Sequence, residues 1–101
     1  MSDAEDKTEA LLAALWVRNR PIIEERLATL DAAATGNLTE ETRKEAQGTA
    51  HKLAGALGMY GYEDGTRIAR QIEQLLEATG LEQAPIRELI AELRGSIFPN
   101  G

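Results

Sequence analysis

The chain offers one imidazole, His51, set in the stretch AHKLAGALGMYG from Ala50 to Gly61. Gly48, Gly55, Gly58 and Gly61 surround it, although the apolar spacing of the segment is that of a helix, where glycine costs about 1 kcal/mol against alanine. On a helical wheel at about 100° per residue, Ala46, Ala50, Leu53, Leu57 and Tyr60 fall in one stripe that marks the core face. His51 lies roughly 140° from the centre of that stripe, with Lys44, Gly48, Gly55 and Gly58 gathered around it and Gln47 at its shoulder. The histidine therefore points outward, into a clearing that helix stability alone would have filled with Ala, Glu or Lys. An imidazole in such a place can accept a bulky group or enter a partner's pocket.

Other chemistries find little support. With no cysteine and a single histidine, neither a disulfide framework nor a thiolate or all-histidine zinc site is available, and no metal site is expected. There is no nucleophile elbow, phosphate loop or paired-ligand spacing, so a conventional hydrolase or metal enzyme fits poorly. The net charge of -6 argues against nucleic acid and anionic membrane surfaces as partners. Locally the balance shifts: from Arg43 to Arg70 five bases (Arg43, Lys44, Lys52, Arg67, Arg70) face three acids (Glu45, Glu63, Asp64), which suits an acidic partner. No apolar run approaches the ~18 residues of a membrane span, and the N-terminus is acidic and polar, so a cytoplasmic address is expected.

The elements that position His51 are helices. Apolar residues make up 43% and charged residues 28% of 101 residues, and Ala, Leu, Glu, Arg and Gln outnumber strand formers, so one all-α domain covering residues 1–101 is expected. Residues 1–8 read as a frayed lead-in. A 3.6-residue pattern then starts at Leu11, Leu12, Leu15 and Trp16 and resumes at Ile22, Ile23, Leu27 and Leu30. Pro21 between them predicts two helices meeting near Asn19 to Pro21, or one kinked there, with a stop at Gly36-Asn37. Thr39 followed by Glu40 and Glu41 starts the helix of His51, which should reach about Met59 before Gly61 breaks it. The next runs from Tyr62 to Thr79, ending at Gly80, with Ile68, Ile72, Leu75 and Leu76 on one face. Pro85 lies in the first turn of the last, whose stripe is Ile86, Leu89, Ile90 and Leu93, before Gly95 and Pro99. Short connections between amphipathic helices predict an up-and-down antiparallel four-helix bundle with a short or kinked N-terminal helical segment. Its polar outer faces favour a monomer.

His51-Lys52-Leu53-Ala54-Gly55, with Gly61 ten residues after the histidine and a following helix that carries Arg67, Ala69, Arg70, Ile72 and Glu73, resembles the histidine phosphotransfer (HPt) domain of multistep two-component signalling. The form AHKLAG-x-LG-x-x-G is similar to the variant found in bacterial hybrid sensor kinases and response regulators. The resemblance implies that His51 takes a phosphoryl group from the aspartyl phosphate of a receiver domain and passes it to another receiver's aspartate, with no kinase or hydrolase activity of its own. It implies response-regulator receivers and a hybrid sensor kinase as partners, and Mg²⁺ on the receiver. Many members carry a lysine three residues after the histidine, where this chain has Ala54. Lys52 is the candidate for that charge-stabilising role, with Lys44, Gln47, Gly48, Gly55 and Gly58 as further contacts to the phosphoryl group or the receiver. A reading from another class is a helical module that docks a receiver or other signalling protein through the glycine-lined face without chemistry.

Overall fold

In the computed structural model, which describes residues 3–78 and 81–99, the chain forms four helices: α1 (Asp3–Thr35), α2 (Glu40–Met59), α3 (Glu63–Glu77) and α4 (Gln83–Ile97). Each helix turns an apolar stripe inward. Ile23, Leu27 and Leu30 of α1, Leu53 and Leu57 of α2, Ile68, Ile72 and Leu76 of α3, and Ile86, Ile90, Leu93 and Ile97 of α4 form one buried core. Helices α2 and α4 each neighbour both α1 and α3, while the diagonal pairs stay apart, as an up-and-down bundle requires.

Cross-helix bonds show the antiparallel pairing. On α1 and α4, Arg94 forks onto Asp31 at 3.0 and 2.6 Å, while further along Arg87 reaches the Ala34 carbonyl and Gln83 Nε2 donates to those of Ala33 and Gly36. The last carbonyls of a helix have no partner within it, and here α4 supplies partners from outside. Asp31 also holds the Arg94 guanidinium above its ordinary range through this hydrogen bond.

In the N-terminal region the structure takes the one-helix form of the two expected. α1 is a single helix of 33 residues, the longest of the four, and it runs through Pro21 without a break. Pro21 lacks the amide that would bond the Val17 carbonyl, but both residues lie on the exposed face, where water replaces the lost partner. Residues 3–8, expected to be frayed, are its first turns, and Asp6 stands near the positive end of the helix dipole. At about 1.5 Å per residue α1 accounts for the 51 Å long axis of the molecule. Smaller differences lie at the other ends. α3 begins at Glu63 and its last described helical residue is Glu77, with the expected stop at Thr79 and Gly80 outside the described residues; α4 continues past Gly95 to Ile97.

Helix α2 is tightly delimited. Thr39 caps it: its hydroxyl accepts from the Thr42 amide at 3.1 Å and the Thr42 hydroxyl accepts from the Thr39 amide at 2.9 Å, a reciprocal box. At the other end the Tyr62 amide reaches the Leu57 carbonyl and the Gly61 amide that of Gly58, with Gly61 at φ +82°. This is a Schellman turn, and its left-handed position favours glycine. Beyond it Trp16 packs against Tyr60, Tyr62 and Phe98 with ring centroids 5.2, 4.7 and 5.7 Å away, and Asn19 Nδ2 donates to the Tyr60 hydroxyl at 2.7 Å. Tyr60, expected on the core stripe, is thus a half-buried C-cap that fastens α1 to the end of α2.

Candidate functional site

The site is built by α2 against α3. The facing residues include Ala50, Ala54 and Ala69, all buried, and Gly65, where an added Cβ would come within 3.0 Å of Ile97 Cγ2 and 3.2 Å of Leu57 Cδ1. Small residues let two helix backbones approach closely, so polar side chains on the outer edge of one reach the other. They do so at four places: Arg43 Nη1 to the Leu76 carbonyl at 2.7 Å, Gln47 Nε2 to Glu77 Oε1 at 2.8 Å, His51 Nδ1 to Glu73 Oε2 at 3.0 Å, and the Thr66 hydroxyl to the Ala54 carbonyl at 3.2 Å.

His51 points outward, as the wheel predicts, and its side chain is 76% exposed. Its Nδ1 is held by Glu73, whose side chain is only 21% exposed. A carboxylate oxygen can only accept, so in the neutral ring Nδ1 carries the proton and Nε2 keeps its lone pair. The geometry thus selects one tautomer of the neutral ring and leaves Nε2 without a partner. Around the ring lies an open pocket of about 520 Å³, lined by His51, Ala54, Gly55, Arg70, Glu73, Gln74 and Glu77.

Of the residues singled out in the sequence, His51 and Gly55 line this pocket. Gln47 stands at its edge through its bond to Glu77. Gly48 and Gly55 have nothing within 4 Å of the position a Cβ would take, so the clearing along the helix is real. Gly58 belongs elsewhere: its Cβ position lies 3.4 Å from the Thr66 hydroxyl, beside the turn into α3. Lys44 and Lys52 are exposed on α2 and do not line the pocket. Glu73, Arg70, Gln74 and Glu77 reach the site from α3. Their signal in the sequence is faint: the polar edge of an amphipathic helix, recurring three and four residues apart, with nothing to say which histidine it faces.

The electrostatics differ accordingly from the basic window read from Arg43 to Arg70. Glu73 and Glu77 stand on the same surface, and Arg43 is engaged by Glu40 and the Leu76 carbonyl. The Arg43 guanidinium holds the Glu40 carboxyl below its usual range, and Glu40 in turn raises Arg43. Among the described residues no cluster of three His, Cys, Asp or Glu side chains could hold a metal ion, and no helix is long and apolar enough to cross a membrane.

The bundle thus displays one carboxylate-oriented imidazole near the middle of its second helix. The model of the Hpt domain family matches residues 22–97, and the chain belongs to that family. Membership supports a histidine phosphotransfer role in a phosphorelay. The chain is also similar to Protein RcaC of Microchaete diplosiphon, 35% identical over 79 residues that make up 74% of this chain and 12% of that protein. It therefore spans about an eighth of the length of that relative. No solved structure matches it significantly.

Proposed function

We propose that this domain accepts a phosphoryl group on Nε2 of His51 from the aspartyl phosphate of a receiver domain and delivers it to the aspartate of another receiver. The observation that carries this reading is the exposed ring whose Nδ1 is occupied by Glu73 and whose other nitrogen is free. In the forward step the Nε2 lone pair attacks phosphorus, the N–P bond forms as the O–P bond of the acyl phosphate breaks, and the aspartate carboxylate leaves with the bonding pair. No proton has to move. The phosphorylated ring retains its Nδ1 proton and a positive charge, which Glu73 faces at hydrogen-bond distance.

Phosphoryl transfer asks of a protein mainly an in-line nucleophile and stabilised equatorial oxygens. The domain supplies the nucleophile on a rigid helix, and the receiver brings the activated phosphate together with its Mg²⁺. The glycine clearing at Gly48 and Gly55 gives the arriving surface room to bring phosphorus in line with Nε2. A kinase activity of its own has no part in this scheme.

The test is intact-mass measurement after mixing the domain with a phosphorylated receiver and Mg²⁺, under conditions that preserve acid-labile phosphohistidine. One phosphoryl adduct on the wild type and none on His51→Gln, with equal melting of both, is the expected result. Binding of several receivers without any adduct would replace the relay by the docking module.

A further inference from the structure

A phosphoryl group on Nε2 brings negative oxygens into the pocket, so the cations that line it decide how well it is held. Lysines 44 and 52 on α2 do not line the pocket, and the α2 position that faces α3 one turn beyond His51 is the buried Ala54. Across from it the rungs Thr66 to Ala54 and Glu73 to His51 bracket Arg70, which lines the same pocket as His51, Ala54 and Gly55. Arg70 is the one cation among those lining residues.

We propose that Arg70 is the phosphoryl-binding residue of this domain, its guanidinium donating to two oxygens of the group carried on His51. Three structural features support it. Arg70 is exposed and makes no hydrogen bond or ion pair with any described residue, whereas its neighbour Arg67 is engaged by Asp64 at 3.7 Å and Gln71 at 3.5 Å. Its place on α3 is one helical turn from Glu73, so the acceptor that fixes the ring and the donor that would hold the oxygens are neighbours on one rigid helix. The planar fork of arginine matches two phosphoryl oxygens at once, a geometry that a flexible ammonium does not reproduce. During transfer Arg70 forms and breaks no covalent bond; its N–H groups neutralise charge on the equatorial oxygens while the N–P bond forms and the O–P bond breaks.

The inference rests on His51 being the phosphoryl acceptor, and the experiment separates the two. Wild type, Arg70→Ala, Arg70→Lys and Arg67→Ala are loaded by a phosphorylated receiver and Mg²⁺. For each, the loading rate at saturating receiver, the lifetime of the phosphohistidine after receiver removal, and the affinity for the unphosphorylated receiver are measured. Expected are loading about tenfold or more slower for Arg70→Ala, partial recovery with Arg70→Lys, wild-type behaviour of Arg67→Ala, and unchanged melting throughout. Loading and lifetime of Arg70→Ala equal to wild type, or a change in receiver affinity with saturated loading intact, overturns the role of Arg70 alone. A wild type that never loads, shown by the absence of any phosphoryl adduct, overturns the acceptor reading and this inference with it.

Discussion

Glu73 Oε2 lies 3.0 Å from His51 Nδ1, joining the third helix to the second across 22 residues of sequence. The contact decides which nitrogen of the neutral ring carries the proton. Replacing Glu73 by Ala removes that choice: long-range proton–nitrogen NMR correlations should show the Nδ1–H form in the wild type and a mixture in the variant. Phosphoryl uptake is expected to slow by about tenfold, roughly 1.4 kcal/mol of barrier, with the fold intact. Uptake at the wild-type rate with a mixed tautomer would remove Glu73 from the mechanism.

The glycines separate into two kinds, and alanine scanning should show it. At Gly48 and Gly55 an added methyl meets nothing, so each Ala variant is expected to gain about 0.5–1 kcal/mol of stability, a few degrees in Tm. At Gly65 it comes within 3.0 Å of Ile97 and 3.2 Å of Leu57, both buried in the core, and a loss of about 1–3 kcal/mol is expected. Enlarging Gly55 to Leu should retain stability and abolish loading by a receiver; full loading would refute the clearing as a docking requirement.

Acid should weaken the start of α2. The Glu40 carboxyl is lowered from 4.5 by its hydrogen bond to Arg43, so its folded value lies below its unfolded one. The stabilisation it contributes is then complete above pH 4.5 and is lost as pH falls through the lower, folded value. Denaturation of wild type and Glu40→Gln at a series of pH values should give curves that differ above that window and converge below it. A difference that persists at the acid end would contradict the assignment.

The scaffold can be loosened without touching the site. Tyr60→Phe deletes the acceptor of Asn19 Nδ2, a partly buried bond, and should cost about 0.5–1.5 kcal/mol in urea denaturation. Loading of His51 should be unchanged. A parallel loss of loading would mean that the aromatic end of the bundle is coupled to the pocket.

How much of this was legible beforehand follows from the range of the interactions. The helices, the capping Thr39, the stop at Gly61 and the outward His51 all rest on residues within a turn or two of one another, and a single sequence displays that spacing. Pro21 left one helix and two both open because a proline's cost depends on whether the freed carbonyl faces water, and Val17 is exposed. Arg70 and Glu73 were part of the resemblance, but their place beside His51 stayed hidden because it depends on the rotation and register of α3 against α2, which only the packed core of the two helices sets. Gly58 shares a wheel sector with His51, yet it lies two turns further along the axis, where the chain is already turning back.

The bonds between α2 and α3 join residues 12, 22, 30 and 33 apart, whereas those tying α4 to the end of α1 span 47 to 63. Short spans close with less loss of chain entropy and form sooner. Every residue assigned to the chemistry therefore belongs to one contiguous hairpin, turned at Gly61, with α1 and α4 as its buttress. Sequence change in that buttress, so long as the core stays filled, is free to alter how firmly the molecule holds together while the reacting groups keep their spacing.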